Sequence, residues 1–176
     1  LLTNGRGGYA LGFGSMLNKR KYNGLLIASS DNNKRVHILS TIEEKVECEY
    51  SHFFLDTNHY SNCIYPNGSD HIVRVWMRPY PAVLYSTNPA DERYLIFKEI
   101  FMPKGQNAVV VKYTNYSANV LGLTLRPKFS MRDHHSLNES GTCSRVTLEK
   151  EILDNSAHIK RPDNGTEAYI YTSAGD

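Results

Sequence analysis

The chain has 176 residues, of which 40% are hydrophobic and 22% charged, a composition typical of a folded protein with a packed core. Its 20 basic and 18 acidic residues give a formal net charge of +2, which argues against a nucleic-acid-binding protein, since such proteins carry a strong basic excess. No apolar run approaches the roughly 20 residues needed to span a bilayer, so we expect no membrane partner.

The first segment, LLTNGRGGYALGFG, is rich in glycine. Within it, GRGGYA at residues 5–10 formally matches the GxGxxA fingerprint of dinucleotide-binding proteins. That fingerprint requires a preceding strand and a following helix, whereas here only LLTN precedes it and more glycine follows. We therefore interpret the segment as strands joined by bulges and turns, which glycine permits.

Short runs with alternating, β-branched or aromatic character fill the rest of the chain and indicate strands. In chain order they are GLLIASS, RVHILST, HIVRVWMR, AVLYST, YLIFKEIFM, NAVVVKYT, VLGLTLRPKF, RVTLEKEI and EAYIYT. In VLGLTLRPKF, the side chains of Leu121, Leu123 and Leu125 fall on one face. PKGQN is predicted to be a hairpin loop. The sequence thus predicts an all-β, antiparallel sandwich or barrel with very little helix, forming one domain over residues 1–176.

The segment SMRDHHS, residues 130–136, is the second dense polar stretch and is interpreted as a loop after a strand. Adjacent histidines on a strand point to opposite faces, so His134 and His135 cannot easily share one metal ion. The three cysteines, Cys48, Cys63 and Cys143, are far apart and lack the spacing of metal ligands or of a disulfide framework. We expect reduced cysteines, no metal and no cofactor.

Several neighbouring carboxylates can be considered as a glycosidase acid/base pair, which requires two carboxyl groups facing each other at about 5–10 Å. The pairs are Glu43–Glu44, Glu47–Glu49, Asp91–Glu92 and Glu149–Glu151. Nothing in the sequence favours any of them over a solvated strand edge, so no catalytic residue is assigned.

Residues 1–29 resemble the opening of the N-terminal domain of bacterial and archaeal glycogen debranching enzymes. The matching positions are Thr3-Asn4-Gly5, Gly7-Gly8-Tyr9-Ala10, Arg20-Lys21-Tyr22 and Gly24-Leu25-Leu26. The segments ILSTIEEKVE, YLIFKEIFMPKGQNAVVVKYT and LTLRPKFSMRDHHSLN resemble later parts of the same domain, with Arg132, Asp133 and His135 on motif positions. The chain departs from the family pattern at Asn23, usually histidine, and at His134, commonly tyrosine.

The resemblance implies an antiparallel β-supersandwich of the galactose-mutarotase-like kind. In the family, an (α/α)6 barrel follows the sandwich and carries the carboxylates that cleave α-1,6-glucosidic bonds. Residues 1–176 are then an accessory domain, inactive alone, whose partners are the C-terminal catalytic barrel and a glycogen-type α-glucan. The cysteines, expected to be reduced, indicate a cytoplasmic location.

Two alternatives stay open at this point. One is a stand-alone carbohydrate-binding sandwich in which aromatic side chains such as Trp76, Tyr80 and Tyr85 stack on sugars. The other is a sugar-epimerase-like sandwich that uses His134 or His135 as a base.

Loops at one end of a sandwich cluster in space even when they are far apart in sequence. We therefore expect the two polar segments and the Arg20–Tyr22 turn to converge, with Asp133 holding an arginine and the glycines allowing close approach to a partner domain. The candidates for contact with substrate or partner domain are Asn4, Arg6, Gly7, Gly8, Tyr9, Arg20, Tyr22, Arg132, Asp133, His134 and His135.

Overall fold

The computed structural model describes residues 1–12, 20–30, 34–49, 51–60, 62–88, 93–138 and 147–173. Apart from a 3-10 turn at Gly68–His71, the regular secondary structure of these residues is antiparallel β-sheet, which confirms the all-β prediction. The strands are β1 (Leu2–Thr3), β2 (Tyr9–Leu11), β3 (Gly24–Ser29), β4 (Arg35–Cys48), β5 (Ser51–Phe54), β6 (Thr57–His59), β7 (Ile64–Asn67), β8 (Ile72–Trp76), β9 (Ala82–Ser86), β10 (Leu95–Phe101), β11 (Val110–Asn115), β12 (Gly122–Asp133), β13 (Glu149–Leu153), β14 (Ser156–Arg161) and β15 (Thr166–Tyr171).

The first sheet is built around β4. Its strand order is β1-β2-β3-β4-β12, and β5 also pairs with β4. Side chains of β4 alternate between the two faces of the sheet, so that Ile42, Glu44 and Val46 are buried while Glu43 and Lys45 lie on the other face. The predicted strand RVHILST is therefore the first half of a longer strand that continues to Cys48.

The second sheet has the order β11-β10-β9-β8. Strands β10 and β11 form the hairpin predicted from PKGQN, with Phe101 paired to Val110. In β10 the side chains of Ile96, Lys98 and Ile100 are buried and alternate with residues on the outer face.

The hydrophobic core lies between the inner faces of these two sheets. Both of its clusters combine side chains from the two sheets, and their removal from water stabilises the sandwich. The fully and nearly buried members are Val46, Phe53, Leu55, Val83, Tyr85 and Ile96 in one cluster and Leu25, Leu39, Ile42 and Ile100 in the other.

An ion pair crosses the core. The Lys98 ammonium of the second sheet lies 2.6 and 2.7 Å from the two carboxylate oxygens of Glu44 in the first, and the two side chains are 2% and 0% exposed. The Tyr113 hydroxyl also donates to Glu44, and the Asp56 carboxylate accepts from the Glu44 backbone N–H at 2.9 Å. The interpretation of Glu43–Glu44 as a solvated strand edge is wrong for Glu44, because its side chain points into the core.

A third, three-stranded sheet has the order β13-β14-β15, and β6 and β7 form a separate pair. The predicted strand RVTLEKEI is only partly correct, since β13 begins at Glu149. Leu148 precedes that strand, and residues 145–146 lie outside the described residues. The alternation predicted in VLGLTLRPKF holds for Leu121, just before β12, and for Leu123, which both contact the core, but Leu125 is 39% exposed.

No helix in the described part of the chain is long and apolar enough to cross a membrane.

Candidate functional site

The turn between β1 and β2 is organised by the side chain of Asn4, which is 1% exposed. Its Oδ1 accepts from the backbone N–H groups of Arg6 and Gly8, both at 2.9 Å. Its Nδ2 donates to the Gln106 carbonyl and to Asn107 Oδ1, both at 3.0 Å. The amide thereby uses both its donors and both its acceptor positions, and it ties the first turn to the loop between β10 and β11.

This turn requires glycine because of its backbone conformation and its close packing. Gly7 has φ +91°, a conformation that residues with a Cβ rarely adopt. A Cβ on Gly8 would lie 2.5 Å from Asn4 Nδ2 and 2.8 Å from Asn107 Oδ1. The two glycines therefore let the chain close around Asn4 within this domain, whereas the sequence interpretation assigned them to close approach of a partner.

Tyr9, at the start of β2, meets the β12 end and the turn before β3. Its hydroxyl donates to the Tyr22 carbonyl at 3.1 Å and lies 2.6 Å from His134 Nε2. Because the hydroxyl proton is already engaged, the hydroxyl oxygen accepts from a protonated Nε2 of His134. The His134 ring also packs on Tyr22, with ring centroids 4.6 Å apart.

His135 contacts the hydroxyl end of Tyr22. Its Nδ1 lies 3.3 Å from the Tyr22 hydroxyl, and its backbone carbonyl accepts from the Lys21 ammonium at 3.2 Å. The two histidine rings are 5.0 Å apart and both contact Tyr22, because they lie in a turn after β12 and not on the strand itself. The expectation that they face opposite ways is therefore wrong.

Tyr9, Tyr22, His134 and His135 form what we call the ring cluster, and a bulge in β12 aims Arg132 at it. The register of β12 against β4 shifts between Phe129 and Arg132, and Met131 within the bulge has φ +43°, which is uncommon for a residue with a side chain. The Met131 carbonyl accepts from Arg161 Nη1 at 3.0 Å and from Asn164 Nδ2 at 2.8 Å. The β14–β15 hairpin thus holds the strained residue next to Arg132.

Arg132 binds backbone and not a carboxylate. Its Nη1 donates to the carbonyls of Asp133, His134 and Ser136 at 3.1, 3.3 and 2.7 Å, and its Nη2 donates to the Lys21 carbonyl. The guanidinium therefore joins the turn before β3 to the turn after β12. A partly buried arginine with several carbonyl acceptors holds loops rigidly.

Asp133 has a different role from the predicted one. Its Oδ1 accepts from the His135 backbone N–H at 2.8 Å and shapes the turn. The expected pairing of the Asp133 carboxylate with Arg132 or Arg20 is not formed among the described residues. The reason is the bulge, which points the Arg132 side chain at the loop carbonyls.

Burial sets the protonation of the cluster. It lowers the pKa of His134, and the positive charges of His135, Arg35 and Arg132 act in the same direction. It also raises the pKa of the Tyr9 hydroxyl. His134 Nδ1 is buried and has no hydrogen-bond partner among the described residues. The neutral imidazole is therefore the favoured form.

The three predicted segments converge, and we call them together the loop cluster. The loop at Asn4–Tyr9, the Arg20–Tyr22 turn and Arg132–His135 meet through the Tyr9–His134, Tyr22–His135 and Arg132–Lys21 contacts. The candidates in the β1–β2 turn, Asn4, Gly7 and Gly8, shape that turn and do not contact the rings, and two further candidates lie outside the ring cluster. Arg6 Nη1 reaches the Gly105 carbonyl at 3.5 Å, and the Arg20 side chain is exposed.

The two residues that depart from the family pattern, Asn23 and His134, both make contacts near the Arg20–Tyr22 turn. The Asn23 carbonyl accepts from His37 Nε2 at 2.7 Å, and the Asn23 N–H donates to the Arg20 carbonyl, so its backbone holds the turn. His134 occupies the space between the Tyr9 and Tyr22 rings.

The sequence analysis did not identify the three ionisable side chains that are buried between the sheets. Glu44, Asp56 and Lys98 also line a pocket that reaches Gly12 and Gly24. The signal was present, because Glu44 lies between Ile42 and Val46 in the alternation of β4. Lys98 likewise lies between Ile96 and Ile100 in β10.

Of the remaining carboxylate pairs, Glu47–Glu49 and Glu149–Glu151 are exposed. Glu47 lies 2.6 Å from Lys45, and Glu149 and Glu151 lie on β13. Asp91 and Glu92 lie outside the described residues. Cys48 and Cys63 are free thiols, and Cys143 is also outside the described residues. The described part of the chain holds no group of three or more potential metal-ligating side chains.

Fold and site together define the class of protein: an all-β sandwich domain whose motif-bearing loops meet at one end in a tyrosine, histidine and arginine cluster. The family model described as glycogen debranching enzyme N terminal matches residues 1–176. The chain therefore belongs to the glycogen debranching enzyme N-terminal family, as the resemblance predicted. No curated protein and no solved structure matches the chain significantly.

Proposed function

We propose that residues 1–176 form one accessory domain of a cytoplasmic glycogen debranching enzyme. The domain packs on the catalytic barrel of the same polypeptide and helps to shape the site at which α-1,6 branch points of glycogen-type glucans are hydrolysed. The observation that carries the proposal is the convergence of the three motif segments on one end of the sandwich.

The chemistry of that end suits contact with another surface. Tyr22, His135 and Lys21 lie on the outer side of the cluster, where His135 and Lys21 are exposed. Arg132 and Tyr9 lie behind them and fix their positions. Flat rings with a polar edge, held by a rigid support, are suited to sugar rings and to protein interfaces alike.

The arrangement of the carboxylates in this domain is a further argument that the catalytic residues lie elsewhere in the enzyme. Glu44 is neutralised by Lys98 in the core, and Glu43 pairs with Lys128 on the opposite face of β4. Neither is arranged as one of two free carboxyl groups facing a substrate space.

The direct experiment measures glucose release from a branched limit dextrin. The full-length enzyme is expected to release glucose, and the purified chain 1–176 is expected to release none. Hydrolysis by the purified chain that a single Glu or Asp substitution abolishes would place the catalytic site in this domain and overturn the proposal.

A second candidate, a carbohydrate-binding sandwich, has one observation in its favour. On the outer side of the second sheet the Trp76 and Phe97 rings are 5.3 Å apart, and Phe97 and Tyr116 stack with centroids 5.4 Å apart. Tyr80 donates to Glu99 at its edge. Tyr85, however, is fully buried, so its proposed role in sugar stacking is wrong.

Retarded migration of the purified chain in a glycogen-containing native gel, abolished by Trp76→Ala, would favour this second candidate. The epimerase alternative has less support. Of its two candidate bases, His134 is 7% exposed with its Nε2 bound to Tyr9, and His135 is exposed with its Nδ1 3.3 Å from the Tyr22 hydroxyl.

A further inference from the structure

Basic residues are concentrated at the end of the sandwich that carries the ring cluster. We call this surface the basic end and define it by the described residues of the ranges 1–12, 20–30, 34–39, 102–107 and 130–138. Asp133 is the acidic residue that these described ranges contain. Their basic residues are Arg6, Arg20, Lys21, Lys34, Arg35, Lys104 and Arg132.

Contacts join these segments into one surface. The Arg35 Nε donates to the Gly7 carbonyl at 2.9 Å, and the Gly105 N–H, next to Lys104, donates to the Asn4 carbonyl at 2.7 Å. On the other side, Lys21 reaches the His135 carbonyl at 3.2 Å. The cationic side chains therefore lie along a continuous band of loops.

Most of the cationic side chains of the basic end form no ion pair with a described carboxylate. Elsewhere on the domain, basic side chains do pair with carboxylates, as in Lys45–Glu47, Lys160–Glu167 and Arg161–Asp163. At the basic end, Arg20, Lys21, Lys34, Arg35 and Lys104 are exposed, and none forms an ion pair with a described carboxylate.

The Asp133 carboxylate forms no ion pair with a described basic side chain, and its Oδ1 accepts from the His135 backbone N–H. Lys21 and Arg35 instead lie over aromatic rings. The Lys21 ammonium is 5.0 Å from the Tyr22 ring centroid, and the Arg35 guanidinium is 6.0 Å from that of Tyr9.

We propose that the basic end docks on an acidic protein surface, that of the partner domain in the same enzyme. The proposal rests on the proposed function and adds to it the charge of the partner surface. Opposite charges across an interface fix its register and exclude other partners. Tyrosine and arginine are enriched in protein interfaces, and the basic end carries the half-buried Tyr22 with the exposed Arg20 and Arg35.

The charge balance favours a protein partner over the other two polymers considered. A neutral glucan offers hydroxyl groups and leaves the cations uncompensated. Domains that bind nucleic acid through a basic patch typically have an isoelectric point above about 9. The isoelectric point of this chain is near 8.4, so the basic end favours a protein partner.

The test uses a water-soluble carbodiimide, which joins lysine ammonium groups to carboxylates within ion-pair distance. The full-length enzyme is treated at low salt, digested and analysed by mass spectrometry. We expect cross-links from Lys21, Lys34 or Lys104 to Asp or Glu residues outside residues 1–176. Their yield should fall at least tenfold at about 1 M salt, because salt then screens the attraction between the opposite charges. Lys150, exposed on β13, is the control and is expected to give none of these cross-links.

The proposal is overturned if lysines of the basic end cross-link only within residues 1–176 or to a second copy of them. It is also overturned if the full-length enzyme binds a DNA oligonucleotide at about 0.15 M salt and loses that binding in R20E/K21E/K34E. Interdomain cross-links in an enzyme without debranching activity would support the docking and overturn the proposed function. Debranching activity without interdomain cross-links would support the proposed function and overturn the docking.

Discussion

At the scale of single residues, the loop cluster depends on buried side chains whose hydrogen bonds connect distant parts of the chain. Asn4 is the clearest case, because its four hydrogen bonds connect β1, β2 and the β10–β11 loop. The TNG sequence indicates a turn, but it does not reveal that the amide reaches residues about a hundred positions further along the chain.

We expect Asn4→Ala to lower the free energy of unfolding by about 2–4 kcal/mol, because it leaves buried N–H and C=O groups without partners. Urea unfolding of the purified chain measures this. Asn115→Ala is the control, since Asn115 is exposed and bonds its own turn, and about 0.5–1 kcal/mol is expected there. Equal losses in the two variants would contradict the role given to Asn4.

His134 is expected to make stability depend on pH. Burial lowers its pKa in the folded state, so the folded protein binds this proton more weakly than the unfolded chain. The contribution is fully present above the unfolded pKa of about 6.5 and is lost as the pH falls through the lower folded pKa. The free energy of unfolding should therefore fall between about pH 7.5 and pH 5.

The variant His134→Asn should flatten this pH dependence, measured by urea unfolding at several pH values. Some slope should stay, because burial also lowers the pKa of His37. His59→Asn serves as the control, since His59 is exposed at the end of β6. If the free energy of unfolding depends on pH in His134→Asn as it does in the parent protein, His134 has the same pKa in the folded and unfolded states and the prediction is wrong.

The convergence of Tyr9, Tyr22 and the histidines could be predicted, since the resemblance marked these segments and sandwich loops cluster at the ends. The partners of individual side chains could not. Arg132 binds carbonyls because a bulge with a positive φ at Met131 redirects it. Register shifts of this kind depend on tertiary contacts, here Arg161 and Asn164 on the Met131 carbonyl.

At the scale of elements, β4 and β10 are joined by charge as well as by apolar packing. Glu44 and Lys98 occupy inward positions that the alternation of each strand otherwise gives to Ile or Val. A buried pair of this kind is costly to break from one side, because the remaining charge has no solvent.

We expect Lys98→Met to destabilise the domain by about 3–5 kcal/mol, and Glu44→Gln/Lys98→Met to cost less than the sum of the single changes. A double-mutant cycle by urea unfolding measures the coupling. The control cycle uses Glu43 and Lys128, a partly exposed pair on the other face of β4, where about 0–1 kcal/mol is expected. Similar coupling in both cycles would mean that burial of the Glu44–Lys98 pair has no energetic consequence.

At the scale of the whole molecule, the all-β class followed from alternation and turn chemistry in nearly every segment. The third sheet was less predictable. All residues of β13 are exposed, so its residue pattern reflects no burial in this domain, and its start was placed too early. A period-2 pattern locates a strand only where one face is buried.

The central claim is that the loop cluster serves the debranching reaction from outside the catalytic residues. Arg132→Ala is a poor test, because Arg132 holds four carbonyls and its loss should lower stability together with activity. Tyr22→Ala and His135→Ala change side chains nearer the solvent. Tyr171→Ala, which alters an exposed tyrosine of β15, is the matched control.

The decisive measurement is kcat/KM for glucose release from a branched limit dextrin by the full-length enzyme carrying each change, with Tm recorded for each variant. We expect about a tenfold or greater loss in Tyr22→Ala and His135→Ala, with Tm within a few degrees of the parent and with Tyr171→Ala unchanged, since misplacement near a site costs this much. Unchanged kcat/KM in both variants, or a loss that follows the fall in Tm, would contradict the account.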